Sequence, residues 1–216
     1  MSPAKEARRS VADRPTTARL AGRGRDGAAT RARIEAEALR LFAEKGVDRT
    51  SVRDIAQAVG VAEGALYRHF PSKEALARSL FLSRYGELAA RIGEIRAAFP
   101  DLRSRLAAIV THACRLFDEQ PALFAYLLLN QHDHLGAVPE ATSGNLVEAL
   151  AVLLGDAVER GEIPPQNVTL ASALALGCLV QPAAFVLYGR LAGPLSLHAE
   201  AIAAGIRRVL RGEEPD

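Results

Sequence analysis

Tryptophan is absent from the 216 residues, aromatic residues make up 5%, and there are two cysteines and one methionine. Two lone thiols, Cys114 and Cys178, do not make a disulfide framework or a thiolate metal centre. Each stands in an apolar helical context and is expected to be a small buried hydrophobe in a reducing compartment. No segment alternates apolar and polar residues over six or more positions, so half-buried strands are excluded and the class is all-α. The N-terminal residues are polar and Arg-rich without an apolar core, so no secretory signal is expected. The longest apolar run, from Leu170 onward, is broken by Ser172, Gln181 and Pro182, so no membrane span is expected. Also missing are a phosphate-binding glycine loop, a nucleophile elbow and a carboxylate-rich metal set, so no enzyme, cofactor or metal is expected.

What is present is apolar and charged material in unequal places. Apolar residues form 49% of the chain, enough for a sizeable core in one large or two small domains. The net charge is +2, but residues 1–80 carry +6 and residues 81–216 carry −4. Such asymmetry points the first part at a polyanion and leaves the second part without one. Residues 1–26 hold Lys5, Arg8, Arg9, Arg14, Arg19, Arg23 and Arg25 among prolines and glycines. They are expected to form a flexible basic arm, either a solvated tail or one that follows DNA phosphate or a minor groove, with Arg23 and Arg25 nearest the folded part.

The most informative stretch is residues 50–74, TSVRDIAQAVGVAEGALYRHFPSKE. Thr50 and Ser51 are N-cap types, and Val52, Ile55, Ala56 and Val59 fall on one helical face. Gly60 stands where helices end in a left-handed residue. A second short helix, residues 62–69, turns Leu66 inward and is stopped by Phe70-Pro71, after which Ser72 can cap a third. Two short helices about a glycine turn are a helix-turn-helix, a shape that serves either packing or major-groove recognition. A preceding helix over 28–45, with Ile34, Ala38, Leu41 and Phe42 on one face, would complete a three-helix core.

GVAEGALYRHFPSKEAL, preceded by TSVRDIAQAV and ALRLFAEKG, resembles the DNA-binding domain of the TetR family of bacterial transcriptional repressors; the resemblance covers residues 28–81. It implies a helix-turn-helix domain over 27–80, with the motif at 50–69, and a helical ligand-binding and dimerisation domain over 81–212. It further implies that Thr50 supplies a backbone-binding hydroxyl and that Tyr67, His69 and Lys73 contact phosphate. Ser51, Arg53, Ala62, Gly64 and Ala65 complete the expected DNA face. Arg68 would reach a guanine edge or a phosphate, and Glu63 a cytosine amino group or its own helix N-terminus. Many family members have serine where Ala62 stands, so one capping hydroxyl is missing.

Beyond residue 72 the spacing predicts six further helices, nine in all. They cover residues 72–99, 101–120, an apolar helix from 121, one ending at 160, and 168–191 and 195–210. Pro182 should kink the eighth. Gln131 to His134 reads as a polar loop rather than a metal site, although His132, Asp133 and His134 are ligand types. The resemblance implies a homodimer through the last two helices, which the small residues there suit, and a small-molecule effector in the second domain. Polar and aromatic residues set in apolar helices are the pointers to that ligand: His112, Phe117, Phe124, Tyr126, Gln181, Phe185 and Tyr188. The helices from 121 and from 168 carry no cation in their interiors, so a neutral or cationic, largely apolar ligand is expected.

The expected function is thus a cytoplasmic repressor that releases a palindromic operator when an apolar molecule binds. The alternatives are a helix-turn-helix protein acting through a protein partner, and an all-α ligand binder without operator function. Deleting residues 1–24 is predicted to weaken DNA binding and flatten its salt dependence, measured by fluorescence anisotropy across a salt series.

Overall fold

The computed structural model describes residues 17–134 and 145–212, and contains nine α-helices and no strand among them. The helices are α1 Thr17–Lys45, α2 Val52–Val59, α3 Glu63–Tyr67, α4 Lys73–Ala98, α5 Leu102–Glu119, α6 Pro121–His134, α7 Leu146–Glu159, α8 Val168–Leu187 and α9 Ala199–Arg211. A 3-10 turn, Leu195–His198, leads into α9. Several boundaries differ from those the sequence predicts: α3 is shorter at both ends, α8 stops at Leu187 rather than 191, α9 begins at Ala199 after a 3-10 turn rather than at 195, and two differences bear on function. The first helix begins at Thr17 rather than near residue 28, so residues 17–26 are helical and not a loose arm. Ala18, Leu20 and Ala21 are good helix formers, and Gly22 and Gly24 each cost about 1 kcal/mol against alanine without ending the helix. Residues 131–134 continue α6 rather than form a loop.

The first core gathers around α1. Ile34, Ala38 and Phe42 from α1, Ile55 and Val59 from α2, Leu66 from α3, and Phe70 are all buried together. This is the expected core, with Val52 only partly covered. Leu76, Leu80 and Phe81 of α4 and Tyr126 of α6 extend it. Tyr126 donates its hydroxyl to the Ala77 carbonyl at 2.6 Å and stacks against Phe42, ring centres 5.9 Å apart. The second core joins α5, α7, α8 and α9 through Leu106, Val110, Leu153, Leu154, Ala175 and Ile206, among others.

α4 enters both cores, with Phe81 and Tyr85 in the first and Ile92 in the second. Its far end is fastened by Arg96, which donates to both Asp156 oxygens at 2.5 and 3.0 Å. Asp118 near the end of α5 accepts from the Leu195 and Ser196 backbone N–H groups at 2.7 and 3.0 Å, fixing the turn before α9. Burial raises the Asp118 carboxyl, but the bonds from Ser196 and Leu195 outweigh it and leave the group below its ordinary value.

α8 is long and apolar enough, by length and composition, to cross a membrane. It contains Pro182 and packs between α7 and α9 with Ala171, Ala175 and Ala183 buried in the second core. Its neighbours therefore account for part of its apolar character, and one face stays uncovered.

The Arg96 guanidinium holds the Asp156 carboxyl below its ordinary range. A depressed carboxyl stabilises the fold above its unfolded pKa, and that stabilisation fades as pH falls through the folded value. The pair is partly exposed, so its contribution is about 1 kcal/mol or less. Urea midpoints of the native protein and Asp156→Asn are predicted to differ at pH 7 and to converge as the carboxyl of the native protein is protonated in acid.

Candidate nucleic-acid interface and internal cavity

The turn between α2 and α3 is built from local chemistry. Ser51, not Thr50, caps α2: its hydroxyl accepts from Asp54 N–H at 3.1 Å, and the Asp54 carboxylate accepts from Ser51 N–H at 2.9 Å. This reciprocal pair satisfies two otherwise free donors at the helix start. The backbone N–H and hydroxyl of Ser51 hold the Asp54 carboxyl below its ordinary value. Gly60 ends α2 at φ +74°, and Val61 N–H closes onto the Ala56 carbonyl at 3.0 Å. A side chain at that φ would be strained, which is why glycine stands there.

α3 is short, and Ala62 caps it with no side-chain bond, as the missing serine implies. Leu66 and Phe70 point into the core, while Tyr67 is 52% exposed. Ala62, Glu63, Gly64 and Arg68 are exposed, and Ala65, His69 and Lys73 are half-buried. A methyl group built on Gly64 would meet no atom within 4 Å, so nothing inside the chain requires glycine there. Ser51 and Arg53 are exposed at the start of α2. The expected DNA face is thus accessible, with one exception.

Thr50 is 1% exposed, and its hydroxyl donates to the Gly46 carbonyl at 2.8 Å. The family resemblance assigns it to a DNA backbone; the structure uses it to close the end of α1. Arg31 and Arg33 are likewise engaged. Arg31 pairs with Glu35 at 2.9 Å and lies 4.6 Å from the centre of the Phe70 ring, and Arg33 donates to the Val59 carbonyl at the end of α2. These arginines hold the motif's angle to α1, a role that spacing alone does not reveal. Arg23 and Arg25 fall on α1, but their side chains lie outside the described residues, as do those of His132, Asp133 and His134.

A cavity of about 230 Å³ lies between α4, α5, α6, α7 and α8. Its wall is almost wholly apolar, with Phe81, Ile92, Leu128, Leu150 and Leu179 among the contributors, and His112 and Phe124 are the two sequence candidates that line it. The other candidates lie elsewhere. Phe117 is buried edge-on against Phe124 at 5.4 Å, and Tyr126 belongs to the first core. Gln181, Phe185 and Tyr188 point outward, the last two being 46% and 65% exposed. Their placement turns on the rotation of α8, which an all-apolar helix does not announce.

Two polar wall residues were not foreseen, Tyr85 and Arg91 of α4. Burial raises the Tyr85 phenol, so it stays protonated. The expectation of a cavity without cations rests on α6 and α8 alone, and it is α4 that brings Arg91 to the wall. Burial, and then the Arg91 charge, hold the His112 imidazole below its ordinary value and favour its neutral form.

Replacing Thr50 with valine removes a buried hydroxyl and leaves the Gly46 carbonyl without that partner. The variant is predicted to lose about 1 kcal/mol in urea unfolding while keeping the native salt slope of DNA binding.

Residues 34–80 match the family described as bacterial regulatory proteins, tetR family. The chain is 31% identical over 159 residues to the HTH-type transcriptional regulator AcrR of Shigella flexneri, covering 68% of this chain and 73% of that one. It is 41% identical over 78 residues to the HTH-type transcriptional repressor KstR2 of Rhodococcus jostii (strain RHA1), covering 36% of this chain and 38% of the repressor. Among solved structures, the TetR family transcriptional regulator PfmR from Thermus thermophilus matches with a TM-score of 0.66 at 30% identity, over 84% of this chain and 99% of that one. The chain belongs to the TetR family of bacterial DNA-binding transcriptional regulators.

Proposed function

We propose that this regulator is a cytoplasmic homodimeric repressor that leaves a palindromic operator when a largely apolar small molecule fills the cavity. Tyr67, Arg68, His69 and Lys73, with Ser51 and Arg53, meet the duplex. Phenol, guanidinium, imidazole and ammonium groups all donate to phosphate, and such contacts fix register without reading sequence. Gly64 and Ala65 allow close approach, and Arg68 and Glu63 offer the few side chains that reach base edges.

Support for the pairing comes from α8 and α9. Leu170, Leu174 and Phe185 along α8, and Tyr188 just past its end, are exposed at near-helical spacing, with Gly177 and Gln181 between them. Val209 on α9 and Leu197 just before it are also exposed. An uncovered apolar face of this kind marks an interaction site, here for a second copy. Two recognition helices can then sit about one DNA turn, roughly 34–36 Å, apart or a multiple of it.

One observation carries the coupling: Phe81 and Tyr85, stacked with ring centres 5.4 Å apart, belong both to the first core and to the cavity wall. A molecule in the cavity thus presses on side chains that also set the attitude of α1 and the helix-turn-helix. It shifts the DNA-free state only by its difference in affinity between the two arrangements.

Binding to DNA from upstream of the protein's own gene tests the reading. Lys73→Ala is expected to weaken binding and lower the salt slope by about 1, and Leu174→Glu with Phe185→Glu to convert a sedimenting dimer to a monomer that binds poorly. An unchanged slope, or a native monomer with full affinity, would contradict it.

A further inference from the structure

The apolar stripe of α1 ends in a charge. Ile34, Ala38 and Phe42 are buried at helical spacing, and Arg31 stands three residues before the first of them, on the same side of the helix. Its guanidinium lies over the Phe70 ring, 4.6 Å from the centre, at the rim of the core. An apolar side chain would cover that ring as well, so packing alone does not call for an arginine. Phe70 follows His69 directly and precedes Lys73 by three residues. Whatever lies on its ring therefore stands beside two of the side chains proposed to meet phosphate.

In the free protein this arginine already holds an anion. Its Nε donates to a Glu35 carboxylate oxygen at 2.9 Å, one turn along α1, between side chains that are 47% and 27% exposed. That bond uses one of the five N–H groups of the guanidinium. The other cations nearby are placed differently. Arg33 donates to the Val59 carbonyl, and Arg40 lies between Glu37 and Glu44 toward the far end of α1. Lys73 is held loosely, 3.8 Å from a Glu74 side chain that is 72% exposed. Arg31 thus combines a place beside α3 with a carboxylate partner that another anion can replace. An exposed pair of this kind contributes about 1 kcal/mol or less, whereas a guanidinium takes a phosphate through two parallel hydrogen bonds.

We propose that Arg31 is a further phosphate contact of the DNA-binding head, and that Glu35 stands in for that phosphate while the protein is free. This rests on the reading of Tyr67, His69 and Lys73 as part of the DNA face. The Phe70 ring fixes the guanidinium before a duplex arrives, so little side-chain freedom is lost on binding. Phosphate then displaces carboxylate, and Glu35 is left beside a polyanion without its partner. The carboxylate is therefore a brake on DNA binding. It lowers the affinity for every duplex alike, because a phosphate contact carries no sequence information. It sets how tightly the regulator holds at a given salt concentration, and leaves its choice of sequence to other side chains.

Fluorescence anisotropy across a salt series tests this on the full chain, with DNA from upstream of the gene and a duplex of unrelated sequence as probes. Arg31→Gln is expected to lower the salt slope by about 1 and to weaken both duplexes by a common factor, about fivefold at 0.15 M salt. Arg31→Lys keeps the charge and is expected to keep the slope, which a role in packing alone does not require. Glu35→Gln is expected to tighten both duplexes about threefold, and to change nothing once Arg31→Gln is in place. Glu94→Gln removes the carboxylate of a similar exposed pair, with Arg91 at the far end of α4, and is expected to leave both affinities as they are. Thermal unfolding checks that each variant is folded; should Arg31→Gln not fold, Glu35→Gln alone decides, and no gain in affinity sinks the inference. A native slope in Arg31→Gln, an equal loss in Arg31→Lys, or a gain from Glu35→Gln that persists without Arg31 would overturn it. If Lys73→Ala also leaves the slope unchanged, the DNA face itself is misplaced; if Lys73→Ala lowers the slope and Arg31→Gln does not, only the role of Arg31 falls.

Discussion

A single buried hydroxyl ties the two halves of this molecule together. Tyr126 leaves the helix that walls the cavity and donates to the Ala77 carbonyl of α4, deep in the core under the helix-turn-helix. Burial raises its phenol well above the ordinary range, so it stays protonated and a donor at neutral pH. Deleting that partner would strand a buried polar group, at a cost of about 1–3 kcal/mol. With the Phe42 stack beside it, the bond keeps α6 registered against both α1 and α4. Without it α6 would lose its polar tie to α4, and the link that Phe81 and Tyr85 make between cavity and head would be less firmly held.

Much of the head was legible in the sequence because its rules are local. Ser51 with Asp54, Gly60, and the Ile55–Val59 spacing each depend on neighbours within a turn or two, so the pattern carries the structure. Thr50 shows the limit. It has the same capping chemistry as Ser51, and only the position of Gly46 across the turn decides that its hydroxyl goes inward. The early start of α1 was hidden by glycines and arginines that read as a loose arm.

The cavity was less legible for a stronger reason. α6 and α8 are apolar nearly all round, so no stripe tells which side meets a neighbour and which a void. Phe185 and Tyr188 looked like pocket residues because they are aromatic in an apolar helix, yet α8 turns them outward. Arg91 was overlooked for the opposite reason: on a long charged helix it resembles surface. Its place at the wall follows from α4 packing against α7, which depends on residues distant in the chain such as Asp156.

The clasp made by Asp118 has a wider meaning. It joins the end of α5, which supplies His112, to the turn that launches α9. A tilt of α5 is therefore delivered to α9 through two short bonds rather than dissipated in a slack loop. In a paired molecule, the twofold seam would then feel what sits inside each subunit, and the reach between the heads would be adjusted from the seam as well as along α4.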